Sequence, residues 1–180
     1  MLINVDDLMA KNLDLAYDEM PDAFDVLSEI KSQSGVEFVG AIRFELKAYR
    51  VGELIVVDGR FKTPVRFTCV RCLSEFETDL TADFKLTYTR KTESSDRKPD
   101  AAEMALNSDE IGLLSFSGLH IDLRPALQEE LIMALPMRPL CQPSCKGLCP
   151  RCGANLNQGD CECRKQKGHP KFAVLKNLKI

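Results

Sequence analysis

The chain has 180 residues and a formal net charge of −3, with 44 % hydrophobic and 28 % charged residues. This length corresponds to one domain, or to one domain with a small appendage, and the composition excludes disordered and fibrous proteins. Residues 1–135 contain 15 Lys and Arg against 25 Asp and Glu, whereas residues 136–180 contain 9 against 2. The basic C-terminal quarter favours a polyanion contact there, and the low pI of about 5.5 argues against a general nucleic-acid coat.

The sequence predicts neither a membrane span nor a secretory signal peptide. No segment approaches the ~18 apolar residues that a transmembrane helix needs. Residues 1–7 are acidic and lack the basic and apolar regions of a secretory signal. We therefore expect a cytoplasmic protein without a membrane partner, whose thiols are kept reduced.

Residues 1–35 predict two short strands and a short helix. Residues 2–5 suggest an edge strand, and the alternation over 13–17 suggests a second strand. Apolar residues at helical spacing then begin at Pro21 and end at Gly35.

Residues 36–90 carry three long runs of alternating apolar and polar residues, which predict an antiparallel meander with one solvent-exposed face. If the last two strands pair so that Phe67 faces Phe76, Arg66 lies opposite Glu77 and Arg60 opposite Asp83. Cross-strand ion pairing then explains these arginines without a nucleic-acid ligand.

A polar, acidic segment over 90–110 predicts a mobile loop, and residues 113–116 a further strand. Asp122 is a candidate N-cap for a helix that ends before Pro136. Its apolar stripe should cover the dry face of the sheet, and residues 172–178 suggest a last amphipathic turn or two. The stripe consists of Leu123, Leu127, Leu131 and Leu135.

These elements predict an α+β fold, an antiparallel meander or partial barrel covered by a helix, followed by a cysteine-rich zinc module. The predicted divisions are 1–35 for the N-terminal strands and helix, 36–136 for the meander and its helix, and 137–180 for the cysteine-rich segment and C-terminal helix.

A chain of this length can fold without disulfides. Eight reduced cysteines that occur in pairs therefore indicate metal ligands. Four of them lie within 15 residues and form a self-contained set: Cys149, Cys152, Cys161 and Cys163. Structural zinc takes four soft ligands in a tetrahedron, and a two-residue gap lets one tight turn direct two thiolates at one ion.

The remaining cysteines form a second site by elimination. They are Cys69, Cys72, Cys141 and Cys145. Cys69 and Cys72 would lie at a hairpin tip, and the site would tie the sheet to the C-terminal segment. An exchange of Cys141 or Cys145 with a neighbouring cysteine is equally consistent with the spacing. One or two structural zinc ions are expected; an iron–sulfur cluster suits the Cys-Pro-x-Cys-Gly turn less well.

Catalysis is not expected. Eight cysteines divide evenly into two closed sites, whereas catalytic zinc keeps a position open for water. His120 and His169 are interpreted as surface residues, and the sequence has no nucleophile elbow, phosphate loop or dinucleotide fingerprint. A small-molecule substrate is therefore not expected either.

Basic residues around the cysteines are the candidates for contact with nucleic-acid phosphates. They are Arg71, Lys146, Arg151, Arg164, Lys165, Lys167 and Lys171. No aromatic residues interleave with them, which disfavours a base-stacking surface in the C-terminal segment.

The order of motifs resembles the bacterial YceD family, a group named for accumulation of large ribosomal RNA. A strand region carries Cys-x-Arg-Cys from Cys69, and a helix reads Glu-Glu-Leu-Ile-Met-Ala-Leu-Pro from Glu129. Cys-Lys-Gly-Leu-Cys-Pro-x-Cys-Gly-x-Asn-Leu-Asn follows from Cys145, and Pro-x-Phe-Ala-Val-Leu-x-x-Leu from Pro170. The resemblance covers residues 36–180 and implies a role in accumulation or processing of large-subunit (23S) ribosomal RNA.

The leading hypothesis is a non-enzymatic ribosome assembly factor whose zinc sites rigidify a basic segment that contacts ribosomal RNA or a large-subunit assembly intermediate. One alternative is a zinc-centred, redox-switched chaperone, since CxxC and CxC pairs can leave a metal on oxidation. Another is a protein-only adaptor, whose acidic body would bind a basic ribosomal protein.

Overall fold

The computed structural model describes residues 1–91 and 112–165, which form two compact units. The first unit comprises Met1–Arg66 and Glu77–Pro136, and the second comprises Phe67–Phe76 together with the chain from Met137 onward. The tip of one hairpin therefore belongs to the same unit as the C-terminal cysteines. The predicted loop beyond Lys91 and the predicted segment 172–178 lie outside the described residues.

The chain begins with strand β1 (Leu2–Asn4) and a helix that the sequence analysis missed, α1 (Val5–Ala10). The Asn4 side chain accepts a hydrogen bond from the backbone N–H of Asp6 at 3.0 Å and so caps this helix. With only six residues, α1 is too short to show a helical repeat of apolar positions.

Strand β2 (Leu13–Glu19), a short 3-10 turn and helix α2 (Asp25–Ser34) confirm the next predicted elements. Gly35 ends α2 with a φ of 69°, a left-handed conformation that glycine adopts without steric cost. Its N–H donates to the carbonyl of Lys31.

The main sheet contains β2, β3 (Glu37–Phe38), β4 (Ile42–Val51), β5 (Leu54–Thr68), β6 (Glu75–Arg90) and β7 (Leu113–Phe116). Its order is β2-β4-β5-β6-β7, and β3 pairs with β5. The predicted meander is confirmed for β4 to β6, and β2 pairs antiparallel with β4.

Two features of the sheet differ from the prediction. Strand β7 runs parallel to β6, so the sheet is mixed rather than purely antiparallel. The connection from 91 to 112 is long enough for the crossover that parallel pairing requires. The strands of the described residues also do not close into a barrel.

Aromatic side chains dominate the interior of the first unit. The rings of Phe24, Phe44, Phe61 and Phe84 follow one another with centroids 6.1 to 6.3 Å apart. Gly59 lies beneath the Phe84 ring, and a Cβ at this position would overlap the ring atoms. The small residue therefore lets β6 place its aromatic side chain over β5.

The solvent face of the sheet carries paired charges. Arg60 pairs with Asp83, and Arg66 pairs with Glu77, as the predicted register requires. Further pairs join Arg43 to Asp18, Lys62 to Asp79, Lys85 to Asp58, and Arg66 to Glu37. The predicted cross-strand ion pairing is confirmed, and it accounts for the sheet arginines without a nucleic-acid ligand.

Strand β8 (His120–Asp122) pairs with β1 and leads into helix α3 (Arg124–Met133). Asp122 accepts a hydrogen bond from the backbone N–H of Arg124 at 3.0 Å, whereas Leu123 already has helical angles, with φ −82° and ψ −19°, and makes no capping bond. Asp122 therefore caps the helix as predicted.

The apolar stripe of α3 is confirmed at its first three positions, which are fully buried. They are Leu123, Leu127 and Leu131. Leu135 lies beyond the end of the helix and is half-buried. Burial, and then the charges of Asp122 and Glu129, raise the pKa of Tyr88 to about 12, which indicates that α3 lies near the end of β6. None of the helices in the described residues is long and apolar enough to cross a membrane.

Candidate metal centres

The first cysteine cluster joins the hairpin tip to the chain after α3. Cys69 and Cys72 lie in the turn between β5 and β6, and Cys141 and Cys145 come from the C-terminal segment. The sulfurs of Cys69 and Cys145 are 3.7 Å apart, and those of Cys72 and Cys141 are 3.6 Å apart. All four sulfurs lie within 4.8 Å of one another.

These spacings fit a tetrahedral metal ion. Metal–sulfur bonds of about 2.3 Å place the sulfurs of a tetrahedron about 3.8 Å apart. A disulfide would require about 2.05 Å, and all eight cysteines are free thiols. The first cluster could therefore hold an ion with little rearrangement of its sulfurs.

The second cluster contains the four cysteines that the spacing grouped together: Cys149, Cys152, Cys161 and Cys163. Their sulfurs also lie within 4.8 Å of one another. The predicted division into two sets of four is thus confirmed, and the alternative exchange of Cys141 or Cys145 is not what the structure shows. Cys152 is exposed, whereas Cys72, at the corresponding place in the first cluster, is buried.

Backbone N–H groups favour ionisation of some thiols in both clusters, and that of Ser74 lowers the pKa of Cys72. Burial raises the pKa of Cys69, but N–H groups of Cys141, Cys72 and Arg71 outweigh it and lower the pKa to about 6. The N–H groups of Cys152 and Arg151, followed by the Cys161 thiol, lower the pKa of Cys149 to about 6.

Other sulfurs of the same clusters resist ionisation. Burial, and then the Cys72 thiol, raise the pKa of Cys141 to about 12. The Cys149 thiol, and then burial, raise the pKa of Cys161 to about 11. A second thiolate is unfavourable beside the first one, and a bound cation would remove this repulsion. The donor set therefore fits a thiophilic divalent ion.

Two turns share one backbone pattern. In the first knuckle, Cys69–Ser74, the N–H of Leu73 donates to the carbonyl of Cys69 at 2.9 Å, and the N–H of Cys69 donates to the carbonyl of Ser74 at 2.9 Å. The corresponding bonds of the second knuckle, Cys149–Ala154, measure 2.9 and 2.8 Å. The molecule thus repeats one cysteine-bearing turn, a relation that the sequence shows only as Cys-x-Arg-Cys.

Leu73 occupies a strained position in the first knuckle. Its φ is 56°, whereas the equivalent residue of the second knuckle is Gly153, with a φ of 73°. A left-handed conformation costs a residue with a Cβ about 1–2 kcal/mol. The Leu73 side chain is exposed, so burial does not offset this strain.

Two hydrogen bonds join residues 145–148 to the first knuckle. Arg71 donates from Nη1 to the carbonyl of Cys145 at 2.9 Å, and its own carbonyl accepts the N–H of Leu148 at 3.1 Å. Gly147 has a φ of 75°, and a Cβ there would lie 3.1 Å from the Arg71 carbonyl oxygen. Glycine permits both the turn and this close approach.

An asparagine pair links the second knuckle to the first cluster. Asn157 donates from Nδ2 to the Cys145 sulfur at 3.2 Å, and its Oδ1 accepts the N–H of Lys146 at 2.8 Å. Asn155 donates from Nδ2 to the Ser74 hydroxyl at 3.2 Å. The sequence analysis gave Asn155 and Asn157 no role beyond their place in the motif from Cys145, because their partners lie far away in the chain.

The predicted basic candidates are only partly described by the structure. Arg71, Lys146 and Arg151 are exposed residues beside the two clusters. The remaining candidates have side chains outside the described part of the chain: Arg164, Lys165, Lys167 and Lys171. His120 is exposed, as expected, and His169 lies outside the described residues.

Residues 57–179 match the family model described as "Large ribosomal RNA subunit accumulation protein YceD". The chain belongs to the YceD family. The matched span includes both cysteine clusters and α3, and it confirms the resemblance noted in the sequence.

Relatives of this YceD chain include proteins from bacteria and plants. An uncharacterised protein of Mycobacterium tuberculosis is 28% identical over 112 residues, which cover 62% of this chain and 50% of the relative. A chloroplastic large ribosomal RNA subunit accumulation protein, YCED homolog 1 of Arabidopsis thaliana, is 23% identical over 158 residues, 77% of this chain and 48% of the relative.

The homolog of the same name from Zea mays is 26% identical over 129 residues, 60% of this chain and 43% of the relative. The chain spans about half the length of the curated relatives it matches. No solved structure matches it significantly.

Proposed function

We propose that this YceD protein is a non-enzymatic, cytoplasmic assembly factor that supports accumulation and processing of large-subunit (23S) ribosomal RNA. The family match is the observation that carries the proposal, because two plant relatives are named for large ribosomal RNA subunit accumulation. Its partner would be ribosomal RNA or a large-subunit assembly intermediate.

Zinc is the proposed ion in both clusters, with a structural role. Among the described residues, the buried cluster of the second unit consists of cysteines, with a few partly buried side chains packed against them: Cys69, Cys72 and Cys145, with Phe76, Leu140, Cys141 and Leu148. Structural zinc contributes on the order of 10 kcal/mol or more to folding. Two four-sulfur sites would therefore supply much of the free energy that orders this unit.

A closed set of four thiolates supports binding rather than catalysis. Such a site has no open position for water or substrate. The ions would instead hold basic side chains, among them Arg71, Lys146 and Arg151, in fixed positions toward phosphates. A cationic surface that is ordered beforehand loses less conformational entropy when it binds.

Depletion of the protein tests this function. Sucrose-gradient profiles should show fewer large subunits, and blots should show accumulated precursors of the large-subunit RNA, with small-subunit RNA unchanged. A wild-type copy should restore both, whereas a copy with Cys72→Ser and Cys152→Ser should not. Unchanged profiles and precursors in fully depleted cells would refute the proposal.

A pull-down from the same cells distinguishes RNA contact from a protein-only adaptor. Large-subunit RNA should be crosslinked to the protein by ultraviolet light, and ribosomal proteins should be lost from the pull-down after RNase treatment. Retention of one ribosomal protein after RNase, without any crosslinked RNA, would favour the adaptor.

A further inference from the structure

The cations of the two units differ in their partners. Five on the sheet face carboxylates: Arg43, Arg60, Lys62, Arg66 and Lys85. In the second unit, Arg71, Arg138 and Lys146 have no carboxylate within 4 Å among the described residues, and the guanidinium of Arg71 donates only to a backbone carbonyl. Within the described part of the chain, these three cations therefore lack the carboxylate partners that the sheet cations have.

The same region exposes large apolar side chains. Val70 is 51% exposed, Leu73 is 63% exposed and Met137 is 99% exposed. Together with the three cations they define what we call the tip surface: Val70, Arg71, Leu73, Met137, Arg138 and Lys146.

Two hydrogen bonds, one of them from the Arg71 side chain, hold the parts of the tip surface together. The N–H of Val70 donates to the carbonyl of Pro139 at 3.0 Å. Met137 and Arg138 directly precede Pro139 in the chain, so this bond brings them close to the first knuckle. The bond from Arg71 to the carbonyl of Cys145 places Lys146 next to the other side of the knuckle. The tip surface thus combines cations and apolar groups around one turn.

Leu73 provides independent support. Glycine would relieve the strain of this position, as Gly153 does in the second knuckle, and the Leu73 side chain is not used in the interior. An exposed apolar side chain retained in a strained backbone points to an external contact, since strain of this kind concentrates at ligand-binding sites.

We propose that the tip surface binds unpaired nucleotides of RNA, which gives the RNA contact of the proposed function a location and a substrate class. Arg71, Arg138 and Lys146 contact phosphates, while bases pack against Val70, Leu73 and Met137. An A-form duplex hides the faces of its bases, so these apolar side chains gain contact area only with bases that are unpaired. The contact is aliphatic packing rather than ring stacking, since the tip surface has no aromatic residue.

The test measures binding of the full, zinc-loaded chain to two fluorescent probes, a single-stranded RNA of about 20 nucleotides and the duplex of the same sequence. The single strand should bind at least about tenfold more tightly than the duplex. Arg138→Gln with Lys146→Gln should weaken single-strand binding about tenfold and reduce the salt slope by about 1.4. The matched control, Arg43→Gln with Lys62→Gln, removes two paired sheet cations and should leave both quantities unchanged.

Leu73→Gly with Met137→Ser tests the apolar part without a change of charge. Affinity for the single strand should fall about tenfold, the scale expected for two exposed side chains that become buried on binding. Zinc content should stay at the wild-type value and Tm should not fall, because the strain that Leu73→Gly relieves offsets the greater freedom of glycine in the unfolded chain, and Met137 is almost fully exposed. This variant separates loss of binding from loss of folding.

Several results would overturn the proposal. If single-stranded RNA binds but the tip variants bind as well as wild type, the RNA contact lies elsewhere and the proposed function stands. Equal affinity for the duplex would refute the assignment to unpaired nucleotides. Tighter binding of a polyglutamate peptide than of RNA would assign the tip surface to an acidic protein. If the zinc-loaded chain binds no RNA, both this inference and the direct RNA contact fail, while depletion still tests the assembly role.

Discussion

At the level of single residues, the two knuckles differ in solvent access although their backbones agree. Cys72 is buried in the first knuckle, whereas Cys152 at the same place in the second is exposed. A chelator or oxidant therefore reaches the second cluster more readily.

The substitution Cys152→Ser should remove one metal ion per chain and leave the other. Three thiolates cannot complete a four-sulfur site, and the first cluster shares no ligand with the second. Elemental analysis should show the metal-to-protein ratio fall from about two to about one, and exchange should become faster over residues 149–163. Cys72→Ser is the matched comparison, which should remove the ion of the buried cluster instead. A ratio of two in the Cys152→Ser protein would contradict the assignment of ligands.

Asn157 should raise the metal affinity of the first cluster although it is not one of the proposed ligands. Its Nδ2 donates to the Cys145 sulfur and its Oδ1 holds the backbone of Lys146, so Asn157→Ala removes support for both. Loss of such an outer contact typically lowers metal affinity about 10–100-fold. Competition with a chromogenic chelator should show this loss for one ion of the two. Gln158→Ala changes an exposed neighbour and should leave both affinities unchanged.

At the level of elements, the pattern of side chains predicted strands and helices well where one face is buried. Alternation identified β4, β5 and β6, since their inward residues lie in the core and their outward cations face carboxylates. The parallel direction of β7 could not be predicted, because it depends on the path of the chain before it rather than on its four residues.

The sequence predicted the cysteines of the candidate site but not the residues that hold those cysteines in place. Cysteine spacing gave both sets of four, because a tight turn fixes two sulfurs locally. The bond from Asn157 to Cys145 and the strain at Leu73 arise from tertiary contacts and a backbone angle. Neither leaves a periodic signal in a single sequence.

The ion pairs on the sheet should make its stability depend on acidic pH. Hydrogen bonds from Arg43 to Asp18 and from Arg60 to Asp83 lower the pKa of both carboxyls below the ordinary 3.8. Their contribution to the free energy of unfolding is therefore complete above the ordinary pKa and is lost as the pH falls through the lower value of the folded state.

Urea unfolding followed by circular dichroism between about pH 5 and pH 3 checks this dependence. Asp83→Asn should flatten the pH dependence relative to wild type, by a small amount because the pair is exposed. The comparison at each pH cancels any acid-induced loss of metal, which affects both proteins equally. An identical pH dependence in the two proteins would show that the pair contributes nothing.

At the level of the whole molecule, the two units have interiors of different chemistry. The first is filled by aromatic and aliphatic side chains such as Phe44, Phe61 and Leu127, which need no ion. In the described part of the second, the buried cluster is built around cysteines, with few apolar residues beside them. Removal of the metal should therefore disorder the second unit and leave the first one folded.

Chelation followed by hydrogen–deuterium exchange should separate the units. Peptides from 67–76 and 137–163 should lose protection, because removal of the ions restores repulsion between thiolates, and the described residues of these segments bury few apolar side chains besides the cysteines. Peptides from β4 and α3 should keep theirs, since these elements belong to the first unit and bury aromatic and aliphatic side chains. Zinc added back should restore protection over both segments, and with it any affinity for single-stranded RNA that depends on an ordered tip surface. Loss of protection throughout the chain would mean that the ions stabilise the sheet as well, and an unchanged exchange pattern would mean that the sulfurs need no ion to remain in place.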